Sequence, residues 1–319
     1  MLLGRFCLLC LMLLVTSVSE RAASGRRKPS FDLPPTTLPR PTYTKPPVEL
    51  SGGLEDMRQI SAGVGWATAH GRLYWTSNNG ASWADITPPD SATKNRTESN
   101  SPDSTTKQIT RIFFLDKSHG WVTLVSGSRT SDGGTGLAAS IGVTEDGGRN
   151  WVLYPLHLSP DLQDTYPYSL FFLDAHRGWL LMNFGCHGAD CPARLLVTED
   201  GGVNWTELSS APDNYGSLYF ITPQTGWFRG AIEHPLYATM DSGRTWQRRT
   251  VPLPSDRAAC MVEYDLPKFK NRQDGFLTAE MGHNELFVTA SYVTRDGGVS
   301  WRAAELNSGI LHRTSLQPP

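Results

Sequence analysis

Thr198-Glu199-Asp200-Gly201-Gly202-Val203-Asn204-Trp205 is one of five copies of a single phrase, Thr-x-Asp/Asn-x-Gly-x-x-Trp. The others begin at Thr76, Thr144, Thr239 and Thr294. The third position is Asp146, Asp200, Asp241 and Asp296 in four copies, and the amide Asn78 in the first. Each copy closes on a tryptophan: Trp83, Trp151, Trp205, Trp246 or Trp301. Short apolar runs flank every copy, as Leu73-Tyr74-Trp75 and Trp83-Ala84-Asp85-Ile86 do the first. That layout is a β-hairpin with the acid and glycine in its turn. An Asp or Asn side chain accepts a hydrogen bond from backbone two residues on, and Gly takes positive φ without a Cβ penalty. Thr adds a second side-chain acceptor, and Trp returns as an apolar lid. The box columns, Asn78 included, are therefore read as structural.

A second phrase keeps step with the first: Gly65-Trp66, Gly120-Trp121, Gly178-Trp179, Gly226-Trp227 and Gly275-Phe276. Each opens an apolar run such as Trp179-Leu180-Leu181-Met182, and most follow another, such as Leu170-Phe171-Phe172-Leu173. The unit is thus four short strands: an inner run, the Gly-Trp run, the run into the box and the run leaving it. Repeats of this size and content are blades, so the expected fold is an all-β propeller of about five four-stranded blades. Weak strands hidden in Leu153–Leu173 or Asp90–Lys107 would raise the count to six or seven.

The boxed phrase resembles the Asp-box, or BNR, repeat. Its alternation with Gly-Trp segments resembles the BNR-like propellers of the photosystem II stability/assembly factor family, over Leu54 to Leu306. The resemblance implies a propeller and a non-catalytic assembly or stability role. The box also occurs in sialidases, sortilin-type receptors and some glycoside hydrolases, so alone it implies a fold and not an activity.

The ends and composition place the chain. Residues 1–24 read as a signal peptide, with Arg5 in the n-region, an apolar Cys7–Val18 stretch and small residues for cleavage. Residues 25–50 form a Pro-rich linker, 51–308 the propeller and 309–319 a tail. The protein is therefore expected to be exported, periplasmic or extracellular, with membrane proximity through its N-terminal segment if the leader is retained. A net charge of −2 and a pI near 6.4 argue against nucleic acid as a partner. Asn95-Arg96-Thr97 in the polar Asp90–Lys107 stretch fits a glycosylation acceptor. After export three cysteines remain. Cys186 and Cys191 bracket a short loop and are expected to form a disulfide, and Cys260 is left over. Metal ligation by Cys186, His187, Asp190 and Cys191 lacks a second spaced pair of ligands, so no metal and no cofactor are expected.

In such a blade the box turn lies at one end, and the loop joining the second and third strands lies at the other, near the axis. Those loops vary, and loops on a rigid scaffold carry function. The last two gather Arg229, Glu233, His234, Glu280, His283 and Glu285 as candidate binding residues at an axial mouth. Two classes of function fit. One is a non-catalytic propeller that binds a protein partner. The other is a secreted, sialidase-like glycosidase with Glu233 paired to Glu280 or Glu285 across a scissile bond. A sialidase needs an Arg-Ile-Pro type segment, and here Arg111-Ile112 is followed by Phe113. No catalytic residue is assigned. A receptor ectodomain would need a membrane span after the propeller, where this sequence reaches Pro319.

Overall fold

The computed structural model describes residues 36–37, 50, 53–89, 107–129, 135–157, 166–183, 192–231, 233–253, 261–283, 286–304 and 310–311. The leader, most of the linker, Asn95, Cys186, Cys191, Cys260, Glu285 and most of the tail lie outside them, as does the side chain of His283.

The described residues form a β-propeller of five antiparallel blades. Blade 1 is β2 (Leu54–Ser61), β3 (Val64–Ala69), β4 (Arg72–Thr76) and β5 (Ala84–Asp85). Blade 2 is β6 (Lys107–Phe114), β7 (Gly120–Arg129), β8 (Thr135–Thr144) and β9 (Val152–Pro155). Blade 3 is β10 (Tyr166–Phe172), β11 (Gly178–Asn183), β12 (Ala193–Thr198) and β13 (Thr206–Ser210). Blade 4 is β14 (Gly216–Phe220), β15 (Gly226–Gly230), β16 (Leu236–Thr239) and β17 (Gln247–Arg249). In blade 5 the inner strand is broken into β18 (Met261–Tyr264) and β19 (Lys268–Phe269), both paired to β20 (Gly275–His283); β21 (Leu286–Thr294) and β22 (Arg302–Ala303) follow. Among its described residues the Leu153–Leu173 stretch holds the last strand of blade 2 and the first of blade 3, while residues 90–106 lie outside the described residues. Two short strands come from segments expected as linker and tail: β1 (Thr36–Thr37) pairs with β9, and β23 (Ile310–Leu311) with β21.

The box turns repeat one hydrogen-bonded ring. In blade 3 the Thr198 hydroxyl donates to Asp200 Oδ1 (2.8 Å) and accepts from the Gly202 N–H (2.9 Å), while the Asn204 N–H donates to Asp200 Oδ1 (2.9 Å). Asn78 builds the same ring with Thr76, Gly80 and Ser82 at 3.0, 2.9 and 3.0 Å, because its carbonyl oxygen replaces one carboxylate oxygen. Only the outer bond changes polarity: Asn78 Nδ2 donates to the Ser82 hydroxyl (2.9 Å), whereas Asp296 Oδ2 accepts from that of Ser300 (2.6 Å). The hydrogen bonds also hold the acids ionised. Burial pushes Asp146, Asp200 and Asp241 up, but the donors around each more than offset it and their pKa values fall below the ordinary carboxylate range. The Ser300 hydroxyl and N–H and the Thr294 hydroxyl take Asp296 down to about 2.

The Gly-Trp phrase proves to be the blade-to-blade joint. Trp121 stacks on Phe172 of the next blade at 3.8 Å, and its Nε1–H donates to the Gly201 carbonyl in that blade's box turn (2.7 Å). Trp179 stacks on Phe220 at 3.6 Å and donates to the Ser242 carbonyl (3.0 Å). Trp227 reaches the fifth box, edge-on to Trp301 at 5.9 Å. In blades 2 to 5 the glycine of this phrase makes room for the inner-strand phenyl of its own blade, whereas Gly65 faces the Arg58 carbonyl. A Cβ on Gly120, Gly178, Gly226 or Gly275 would stand 2.3–2.6 Å from Phe114, Phe172, Phe220 or Phe269. The box tryptophans stand edge-on to those phenyls, as Trp205 does to Phe172 (6.0 Å) and Trp246 to Phe220 (6.2 Å). Four buried clusters result, at the junctions of blades 1–2, 2–3, 3–4 and 4–5.

Candidate functional site

The hairpins joining second and third strands end opposite the box turns, as strand direction requires. In blade 4 this hairpin is tied to its surroundings: the Gly230 N–H donates to the Pro235 carbonyl and the Ala231 N–H to that of Tyr215, both 2.9 Å. Its tip carries two successive left-handed residues, Glu233 (φ 55°) and His234 (φ 44°). A residue before proline is driven toward extended φ/ψ, so His234 before Pro235 is held against its preference. What holds it is blade 5. The Tyr264 N–H donates to the His234 carbonyl (3.4 Å), and His234 Nδ1 lies 2.9 Å from Glu263 Oε2. Arg229 Nε–H donates to the Tyr264 carbonyl at 2.5 Å.

Glu263 stands directly opposite Glu280 in the β18–β20 ladder. Like charges facing each other across a ladder are unfavourable. The structure thus brings Arg229, His234 and Glu280 to one junction, with Glu233 exposed at the hairpin tip above it. His283 closes β20 opposite Leu286, while its side chain, and all of Glu285, lie outside the described residues.

Sequence reasoning missed Glu263 and Tyr264. Both lie on an inner strand, whereas the search followed hairpin loops. A second latch of the same form was also missed: Arg111 Nε–H donates to the Tyr168 carbonyl of the next blade's inner strand. The Arg111 guanidinium stands over the rings of Tyr168 (5.1 Å) and Tyr166 (6.0 Å), and Tyr168 meets Tyr215 edge-on at 4.9 Å. The Tyr166-Pro167-Tyr168 alternation at the start of β10 was the available signal. Beside Arg111, a space of about 320 Å³ opens between Glu55, Asp56, Thr68 and Gly71 of blade 1 and Thr110 of blade 2. Among the described residues no three His, Cys, Asp or Glu side chains gather as metal ligands would. Chemically this end offers carboxylates, an imidazole and tyrosine faces.

No family model matches the chain. Over 129 residues it is 35% identical to the chloroplast photosystem II stability/assembly factor of Arabidopsis thaliana, covering 38% of this chain and 28% of that protein. Over 144 residues it is 30% identical to the photosystem II assembly lipoprotein of a Synechococcus strain, covering 43% and 35%. The chain is a β-propeller similar to photosystem II assembly factors. The alignments span about a third of the length of these curated relatives. Among solved structures it resembles YCF48 from Cyanidioschyzon merolae (16% identity, 83% of this chain, 89% of that chain, TM-score 0.36). It also resembles an ulvan lyase (9% identity, 78% and 68%, TM-score 0.48). Superpositions this loose say nothing about chemistry.

Proposed function

We propose that this propeller is an exported, non-catalytic factor that holds another polypeptide during its assembly or stabilises it, using the end opposite the box turns. Support comes first from the two relatives, both of them named as assembly factors of photosystem II. The client carried over to this chain is a polypeptide, not a particular photosystem subunit.

The observation that carries the reading is how the candidate groups are employed. Arg229 is committed to the Tyr264 carbonyl and His234 to Glu263, so they fix the junction of blades 4 and 5. Glu263 is engaged by His234, and the exposed Glu233 with the half-buried Glu280 beside it serve as recognition charges. Rim charges of this kind chiefly set association rate and specificity.

A photo-crosslinking residue at position 233 of the exported protein tests this. A crosslinked polypeptide that is lost, with altered salt dependence, in Glu280→Lys while the melting temperature does not fall supports the reading. Hydrolysis of a glycoside panel that vanishes in Glu233→Gln or Glu280→Gln would overturn it in favour of an enzyme.

A further inference from the structure

Just before each box glycine stands a residue with left-handed backbone: Gly147, Gly201, Ser242, Gly297 and, in the first copy, Asn79 (φ 57°). Asn79 is the one side-chain amide at this position, and Gly80 (φ 82°) follows it. Asn79-Gly80 is also the sequence's single Asn-Gly pair. Such a pair is reactive. The side-chain amide carbon can close a five-membered ring with the next residue's nitrogen, and a glycine there has no Cβ to hinder the approach.

The structure treats the two neighbouring amides differently. Asn78 is fully engaged: Oδ1 accepts from the Thr76 hydroxyl and the Ser82 N–H, and Nδ2 donates to the Ser82 hydroxyl. The Asn79 side chain is exposed and makes no hydrogen bond among the described residues. It lines, with Gly80, an open groove of about 290 Å³. Its backbone is held instead. The Asn79 N–H donates to the Gly63 carbonyl (3.0 Å), and the Gly80 N–H donates to the Thr76 hydroxyl oxygen (2.9 Å). The nitrogen that would attack therefore keeps its proton inside the box ring.

We infer that Asn79 is a modification site, converted to an isoaspartyl or aspartyl residue when the first box turn opens, and that the Thr76 hydroxyl keeps it intact in the closed turn. Once the turn is open, the Gly80 nitrogen gives up its proton and bonds to Asn79 Cγ, and the side-chain nitrogen leaves as ammonia. One water then opens the cyclic imide. Cleavage of the new Cγ–N bond gives aspartate, and cleavage of the original peptide C–N bond gives isoaspartate, whose main chain runs through Cβ and Cγ. The imide lacks the Gly80 N–H, and the isoaspartyl chain is longer, so neither rebuilds the ring at its present spacing. The chemistry thus makes the opening that allowed it irreversible. The site lies at the box end, apart from the end assigned to partner binding.

The test holds the full chain in mildly alkaline buffer, native or in urea, and follows position 79 by peptide mapping with isoaspartate-resolving mass spectrometry. Expected is loss of the Asn79 amide about tenfold or more faster in urea, because only the open fraction of the native chain reacts. Thr76→Val should speed the native reaction several-fold and leave the urea rate unchanged, whereas Thr76→Ser, which keeps the acceptor, should stay close to the unaltered chain. Thr198→Val makes the same loss in blade 3 and should leave Asn79 unaffected. Should Thr76→Val fail to fold, hydrogen exchange of the Gly80 N–H in the unaltered chain decides instead: protection that matches the slowing of the reaction supports the inference, and an unprotected N–H overturns it. Equal rates in native buffer and urea overturn it, as does a Thr198→Val rate that matches Thr76→Val. Absence of isoaspartate at position 79 in urea overturns it likewise.

Discussion

Replacing Trp179 with phenylalanine, and separately Trp227, isolates what holds the blades together. Both indoles are fully buried at equivalent joints, each at 0% exposure. They differ in the N–H bond and in stacking, Trp179 lying 3.6 Å from the Phe220 ring and Trp227 6.0 Å from that of Phe269. Trp179 Nε1 donates to the Ser242 carbonyl at 3.0 Å, while Trp227 Nε1 is buried with no partner. The Trp179→Phe change removes a donor and strands a carbonyl, about 1–3 kcal/mol. The gap left by the smaller ring adds about 1 kcal/mol. Trp227→Phe opens a similar gap but also deletes an unsatisfied buried N–H, whose burial cost of about 1–3 kcal/mol is then relieved. The expected losses are therefore about 2–4 kcal/mol for Trp179→Phe and about 1 kcal/mol or less for Trp227→Phe. Urea titrations read both as midpoint shifts at constant slope. Equal losses, or a larger one at Trp227, would refute the assignment of the indole N–H to the joint.

Two more predictions follow from the repeat. Gly178→Ala places a methyl 2.6 Å from the Phe172 ring, which is clamped against Trp121, so overpacking should cost about 1–3 kcal/mol in a thermal melt. Asp296→Asn recreates the Asn78–Ser82 pairing at Ser300, so stability at neutral pH should hardly change. Acid response should change, however. A carboxyl whose folded pKa is depressed gives stability that is full above its ordinary value, near 3.9, and fades as pH falls toward about 2. The variant should lose less stability than wild type between about pH 4 and pH 2, read by acid titration of the native signal.

The fold was legible because two periodic phrases reported it independently, and each of their columns answers a backbone need. The five boxes fell on turns, and the Gly-aromatic pairs opened the second strand of every blade. Less legible was which tryptophan bears the joint. The box tryptophans drew attention as lids, but Trp205 and Trp246 are only half-buried and bond to their own turns at Gly202 and Gly243. Trp121, Trp179 and Trp227 cross between blades, a contact between repeats that single-repeat reading does not encode. The candidate site was half legible for a related reason. Arg229, Glu233, His234 and Glu280 lie on or beside loops that topology places at one end. Glu263 and Tyr264 instead reach them from the neighbouring blade's inner strand. The Glu263–Glu280 facing follows from ladder register, and β18 and β19 pair with β20 in registers one residue apart.

In a chain of units that touch only their neighbours, stability is the sum of each unit and its junctions. Among the described residues, blades 2, 3 and 4 share buried clusters on both sides, whereas those of blades 1 and 5 lie on one side each. Those end blades are therefore where opening should start. The Arg229–Tyr264 and His234–Glu263 contacts fasten blade 5 to blade 4, beside the groups assigned here to recognition. A polypeptide cation that paired with Glu280 would lessen the repulsion between Glu280 and Glu263 and tighten that fastening. Binding at this end and stability of blade 5 are then linked: whatever favours the joined junction favours the partner, by the same free energy in both directions.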